Sequence, residues 1–249
     1  MKKMHTALLR LLALLLLGVL ALQLFFAGRI ALMNWLDPQS TTFQRSEIWR
    51  LAAEKHQVLW SEQWVPAAAI SKNLARAVIA SEDASFAEHA GVDWDAMEKA
   101  WERNQKAEAL AARQASRAPA GKPATTAKIV GGSTITQQLA KNLFLSGERN
   151  LLRKGQELAL TMMLEGLLSK PRILEIYLNN VEWGEGLFGA QAAARHYFRI
   201  DAAQLSPNQA ARLAVMLPAP KRFEKRPSSP YLLSRAATIE ARMWAVELP

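Results

Sequence analysis

The feature that most constrains this chain is an apolar run from Leu11 to Gly28, broken only by Gln23 and bracketed by Arg10 and Arg29. Wound as a helix at about 1.5 Å per residue, such a run nearly spans the ~30 Å hydrocarbon core of a bilayer. The flanking arginines reach outward to the polar layers. Lys2, Lys3, His5 and Arg10 precede the run, which places the N-terminus on the cytoplasmic side and everything after Gly28 on the other. Signal-peptide cleavage is the competing fate, but its small-residue pattern is missing. Phe25 stands two before Ala27, and Arg29 two before Ala31. The run is therefore expected to stay as a membrane anchor.

Composition narrows what the anchor carries. The chain has 249 residues, half of them hydrophobic (50%) and 21% charged, which suits one folded domain beyond the membrane. It has no cysteine, so disulfide frameworks, thiolate zinc sites and thiol nucleophiles are excluded. The net charge of +9 would attract any anion. Outside the membrane this points away from nucleic acid and towards lipid headgroups or a phosphorylated lipid.

Residues 1–10 read as a cytoplasmic stub, 11–28 as the anchor, 29–66 as a juxtamembrane segment and 67–249 as the main folded domain. The body has helical spacing throughout, as in Ile70–Leu74–Val78 and Ile135–Leu139–Leu143. Thr134 with Gln137 and Ser206 with Gln209 have capping-box spacing. Ser206-Pro207 and Ser229-Pro230 are helix starts, Pro218 and Pro220 end a helix, and Tyr231–Val246 closes the chain as another. Residues 104–126 are rich in Ala, Lys, Arg, Gln and Pro. Their first part can prolong a helix from Glu98 to Arg113, and Pro119–Thr126 is expected to be a mobile loop.

Three clusters carry chemistry. Continuing Ile70–Leu74–Val78 by four residues lands on Glu82, a carboxylate on an apolar face. Burial there would raise its pKa and suit it to general-base work. Periodicity equally allows the helix to end first and the side chain to turn to water. Asp83, His89 and Asp93 follow without tight metal-ligand spacing. The second cluster, Gly131 to Asn142, has paired glycines before a helix start, with Thr134, Gln137 and Lys141 on one face. It suits an anionic ligand or ordinary capping, and matches no nucleotide loop. In the third, Arg149, Arg153, Lys154 and Glu157 form either a basic face or a surface ion pair worth at most ~0.5 kcal/mol.

Together these segments resemble the glycosyltransferase family that polymerises lipid II into peptidoglycan, most closely its monofunctional, membrane-anchored members. The carriers are Glu82-Asp83-x-x-Phe86-x-x-His89-x-Gly91-x-Asp93, then GGSTITQQLAKNLFL from Gly131 to Leu145, then Arg153-Lys154-x-x-Glu157. Arg172-Ile173-Leu174-Glu175-x-Tyr177-Leu178-Asn179 and the stretch from Gly184 to Phe198 complete the order. The resemblance implies a mainly helical, lysozyme-like bilobal fold behind the anchor. It assigns the general base to Glu82 and the donor side to Glu157. It also implies phosphate contacts at Lys141, Arg149 and Lys154, beside Arg153, and cleft-lining polar groups at Ser133, Thr134 and Gln137. Asp83, Phe86 and His89 belong to the first motif and are counted with the substrate-binding residues.

The implied setting is the bacterial inner membrane with the domain in the periplasm. Lipid II, the growing glycan strand, membrane lipid and other wall-synthesis proteins are the implied partners. No cofactor is expected to be required and no metal site is expected, though Mg2+ or Mn2+ would suit the pyrophosphate. The rival readings are a lysozyme-like hydrolase, which normally pairs two carboxylates across the sugar, and a non-catalytic scaffold. The sequence departs from the family pattern in the long 104–126 insertion and in Val130, where a polar or basic residue is common. A fused transpeptidase is not expected, since no Ser-x-x-Lys motif occurs.

Overall fold

The computed structural model describes residues 2–117, 131–145 and 150–249. Helix α1 (Lys2–Leu32) is 31 residues long, about 46 Å at 1.5 Å per residue. Its stretch Met4–Leu32 is long and apolar enough to cross a membrane, and fits a single-pass anchor. The helix does not stop where the apolar run does. Ile30 and Met33 are buried in the domain core, and Phe26 meets the Phe144 ring edge-on at 5.3 Å. Gln23, the one polar residue of the run, exchanges hydrogen bonds of 2.8 and 3.1 Å with Gln156. Its amide, costly in hydrocarbon, is thus paired where the anchor meets the domain. Trp35 and Leu36 stand exposed just past the helix, where an interfacial aromatic belongs.

Residues 29–66 are not a separate linker. Thr41 caps helix α2 (Thr42–Arg50) in a full capping box with Gln44. The backbone continues as a π-helical turn over Leu51–Lys55, and then as strand β1 (Ser61–Glu62). Thr41, Gln44, Glu47 and Leu51 are buried, so this segment folds as part of the domain. A short 3-10 turn, Ala67–Ala69, leads into helix α3 (Lys72–Glu82), capped by Ser71. Helix α4 (Trp94–Arg117) covers the Glu98–Arg113 stretch that the sequence allows as helix and continues to Arg117. Its Ala, Gln, Glu and Arg content is that of a strong helix former. The Pro119–Thr126 loop lies outside the described residues.

Helices α5 (Ile135–Phe144), α6 (Leu151–Leu167) and α7 (Lys170–Asn180) follow. Strands β2 (Glu182–Gly184) and β3 (Leu187–Phe188) join β1 in a sheet of order β1-β3-β2, β1 parallel and β2 antiparallel to β3. These strands are too short to show a period of two, so the sequence pattern gave no sign of them. Gly186 makes the turn: at φ +70° an added Cβ would lie 2.0 Å from the Leu59 carbonyl oxygen. Helices α8 (Ala190–Phe198), α9 (Pro207–Met216), α10 (Pro220–Phe223) and α11 (Pro230–Arg242) complete the domain. The Ser206 and Ser229 starts and the Ser206–Gln209 capping box form as their spacing indicates.

One contiguous core unites α3, α5, α6, α7, α9 and α11, and reaches up to Ile30 and Met33. Leu74, Val78, Leu139, Leu143, Leu160, Ile176 and Trp183 are fully or almost fully buried in it. Truncating any of these to alanine is expected to cost ~2–5 kcal/mol. The mainly helical architecture behind one apolar helix is the one the motifs implied.

Candidate active site

Helix α3 delivers Glu82 as its last residue, packed by Ile70, Leu74 and Val78 along the same stripe. Both sequence alternatives are partly met: the helix ends here, yet the carboxylate stays half-buried. Gln138 Nε2 donates to Glu82 Oε2 at 3.0 Å, and Ser81 Oγ to Oε1 at 3.3 Å. Burial pushes the Glu82 carboxyl above the usual carboxylate range, and Asp83 beside it adds to this. Gln138, Ser81 and Lys141 pull the other way without cancelling it. The Gln138 amide is fixed in turn by the buried Tyr177 hydroxyl, which donates to its Oε1 at 3.0 Å. Burial, with Glu82 and Asp83 nearby, holds that phenol well above its usual range, so it stays a donor.

The rest of the first motif faces inward. Asp83 Oδ2 accepts from the backbone N–H of Ile135 at 2.9 Å, at the positive end of α5. Its Oδ1 meets His89 Nε2 at 2.8 Å, while His89 Nδ1 accepts from Gly91 N–H at 3.1 Å. The second bond leaves Nε2 as the protonated nitrogen. Phe86 is fully buried beneath the Lys170 ammonium, 4.4 Å from its ring centre. Gly91 has φ +87°, and a Cβ there would come within 2.7 Å of Thr161 and 2.8 Å of Glu165. Its carbonyl accepts from Thr134 Oγ1 at 2.6 Å. Thr134 also closes the expected capping box with Gln137. Asp83, Phe86, His89 and Thr134 thus form a frame tying the α3 end to α5, behind the site.

Ser133, Gln137, Gln138, Lys141, Arg153, Lys154 and Glu157 line a common cleft of about 660 Å3. Asn150 caps α6 through Arg153 N–H at 2.7 Å, which fixes the first turn carrying the basic residues. Glu157, 4% exposed, receives Arg153 Nη1 on Oε2 at 3.2 Å and the Lys154 ammonium on Oε1. Of the two readings that spacing left open, a basic face or a surface ion pair, the structure gives a buried carboxylate holding two cations against the cleft. Arg153 Nε is buried and has no hydrogen-bond partner. Lys141 projects into the concave site, and its ammonium pKa is lowered. The crowding walls and the nearby Arg153 and Lys154 disfavour its charge, while Glu157 and Glu82 favour it. Arg149 lies outside the described residues. Glu82 itself is not among the residues lining the cleft, but Gln138, which is, donates to it.

Sequence reasoning missed three contributions. Gln138 was passed over for its neighbour Gln137, although one residue of rotation separates a capping amide from one aimed at Glu82. Phe43, Ser46 and Glu47 of α2 and Glu182 of β2 also line the cleft. The Thr41–Gln44 capping spacing was visible and would have revealed α2 inside the supposed juxtamembrane segment. Arg172 of the fourth motif serves the anchor instead, donating to the Met33 carbonyl at 2.7 Å and pairing with Asp37 at 2.7 Å and Glu175 at 2.9 Å.

The profile of the Transglycosylase family matches residues 52–244. The chain is 52% identical over 230 residues to the biosynthetic peptidoglycan transglycosylase of Burkholderia thailandensis, covering 92% of this chain and 83% of that one. It is 50% identical to the protein of that name from Paraburkholderia xenovorans, covering 92% and 88%. The same name is carried by a relative from Burkholderia pseudomallei, at 51% identity with 92% and 83% covered. A carboxylate with a raised pKa, a cleft with a basic wall, and a match over most of the chain lead to one statement: the chain belongs to the transglycosylase family and is a glycosyltransferase.

Proposed function

We propose that this glycosyltransferase polymerises lipid II into β-1,4-linked glycan strands for the cell wall, with Glu82 as the base. Glu82 takes the proton of the acceptor N-acetylglucosamine 4-hydroxyl as that oxygen attacks the anomeric carbon of the donor N-acetylmuramic acid. The bond from that carbon to the pyrophosphate oxygen breaks, the polyprenyl pyrophosphate leaves, and the α-link becomes β. The observation that carries this reading is the pairing of a carboxylate hydrogen-bonded only by the uncharged Gln138 and Ser81 with a cleft wall of Lys141, Arg153 and Lys154. The first suits proton abstraction near neutral pH. The second suits charge developing on a leaving pyrophosphate.

In this reading the anchor holds the domain on the periplasmic face of the bacterial inner membrane. There both lipid-linked substrates lie within reach, and other wall-synthesis proteins work on the product. No resident cofactor takes part, and a divalent cation would act only on the pyrophosphate oxygens. The test is lipid II polymerisation by the purified full-length protein and by Glu82→Gln, each with and without a chelator. Glycan strands from wild type alone are expected. Equal turnover by Glu82→Gln would remove Glu82 as the base, and fragmentation of finished wall by wild type would favour hydrolysis.

A further inference from the structure

A second set of cleft-lining side chains, unlike the basic wall, comes from α2, β2 and α10. Glu182 opens β2 and is 6% exposed, and its Oε1 has no hydrogen-bond partner. Lys221 Nζ makes only a long ion pair with that oxygen, at 3.5 Å, and lies closer to Glu47 Oε2 at 2.5 Å. Glu47 is held further by Arg50, through Nε at 3.2 and 3.1 Å and Nη2 at 2.9 Å. Arg50 in turn reaches Glu185 at 2.6 Å. Lys221 is thus shared with Glu47, and one oxygen of the cleft-lining Glu182 is left without a close donor.

A buried polar atom without a partner costs ~1–3 kcal/mol. Such a group in a wall that substrate must touch is explained when substrate supplies the missing donor. We propose that Glu182 is a saccharide-binding carboxyl, whose free Oε1 accepts a hydroxyl or acetamido N–H of the glycan in the cleft, with Lys221 and Glu47 as positioning residues. The inference rests on the reading of the cleft as a lipid II polymerising site. A neutral donor fits better than an ammonium, since the Lys221 charge already stands 3.5 Å from that oxygen.

The titration of Glu182 supplies a signature. Burial pushes it up to about 7, with Glu47 and Glu224 adding to the rise and Lys221 opposing it. Tyr197 also lies in its field, its own phenol pushed up by burial and by Glu224 and Glu182. The ionised carboxylate is the stronger acceptor, so substrate binding should tighten as pH rises through about 7. The folded protein behaves oppositely. A carboxyl whose folded pKa is raised favours folding while protonated, and that contribution is lost as pH rises from the ordinary carboxyl value of 4.5 to about 7.

The experiment is steady-state polymerisation of lipid II by the full-length protein, Glu182→Gln and Glu182→Leu, from about pH 5.5 to 8.5 across this titration. Above pH ~7.5, Glu182→Leu is expected to raise KM about tenfold or more, with a smaller change in kcat. Wild-type KM should fall with rising pH, and Glu182→Gln should give a flatter profile. Both variants should melt at or above the wild-type temperature at pH ~8, since the buried charge is gone. If Glu182→Leu does not fold, the Glu182→Gln pH profile decides alone. An active wild type whose KM and pH profile are matched by the variants overturns this inference and leaves the polymerase reading standing. A wild type that does not polymerise lipid II overturns both.

Discussion

Glu157 lines the cleft and Glu82 is tied to it through Gln138, and the surroundings of these two glutamates make them opposites. Glu82 closes α3 and receives only uncharged donors, Gln138 and Ser81. Glu157 sits in the second turn of α6 and receives Arg153 and Lys154. A carboxylate that holds two cations serves by fixing them where a leaving group develops charge. A carboxylate held by neutral donors and raised by burial keeps its affinity for a proton. The two carboxylates are told apart by their partners.

The sharpest way to break this comparison is to exchange the two losses. Glu82→Gln is expected to lower kcat by ~10²–10⁴-fold while substrate binding persists. It should also melt higher than wild type near neutral pH, because a carboxyl with a raised folded pKa weakens the fold once ionised. Lys141→Ala comes next, with a loss of ~10²-fold, as expected for one placed charge at a developing anion. Its rate should also become less sensitive to salt. Glu157→Gln should cost about tenfold, chiefly in KM, by releasing Arg153 and Lys154 from their buried anchor. Should Glu157→Gln remove the acid limb of the pH profile and Glu82→Gln leave it, the assignments are reversed.

What the sequence could show of this contrast follows from which forces are local. The Thr134–Gln137 capping box, the Ser206 and Ser229 helix starts and the Ile70–Leu74–Val78 stripe depend on residues within a turn or two, and they form as spacing indicates. The burial of Glu157 was not legible, because i to i+4 spacing is the same in water and in a wall. Nor was the contribution of α2, since Phe43 and Glu47 reach the cleft only through packing against β3 and α10, far along the chain. Gln138 escaped for the same reason: its partners Glu82 and Tyr177 come from two other helices. The family resemblance supplied Glu82 with a role, and the three-dimensional contacts supplied the reason that its pKa is raised.

Gln138 gives the finest test of that reason. Its N–H stabilises the ionised form of Glu82, so it opposes the upward push of burial. Replacing it with alanine removes one hydrogen bond worth ~0.5–1.5 kcal/mol. The Glu82 carboxyl should then ionise at still higher pH, moving the acid limb of kcat/KM upward. Activity should fall about threefold to tenfold below the limb and less above it. Tyr177→Phe acts on the same contact from behind. Without the phenol on Oε1, the amide is free to turn its oxygen towards the carboxylate, an arrangement that repels. The limb should move in the same direction by a smaller amount. A uniform loss at every pH in both variants would mean that Gln138 positions substrate instead, and that the pKa of Glu82 is set by burial without its help.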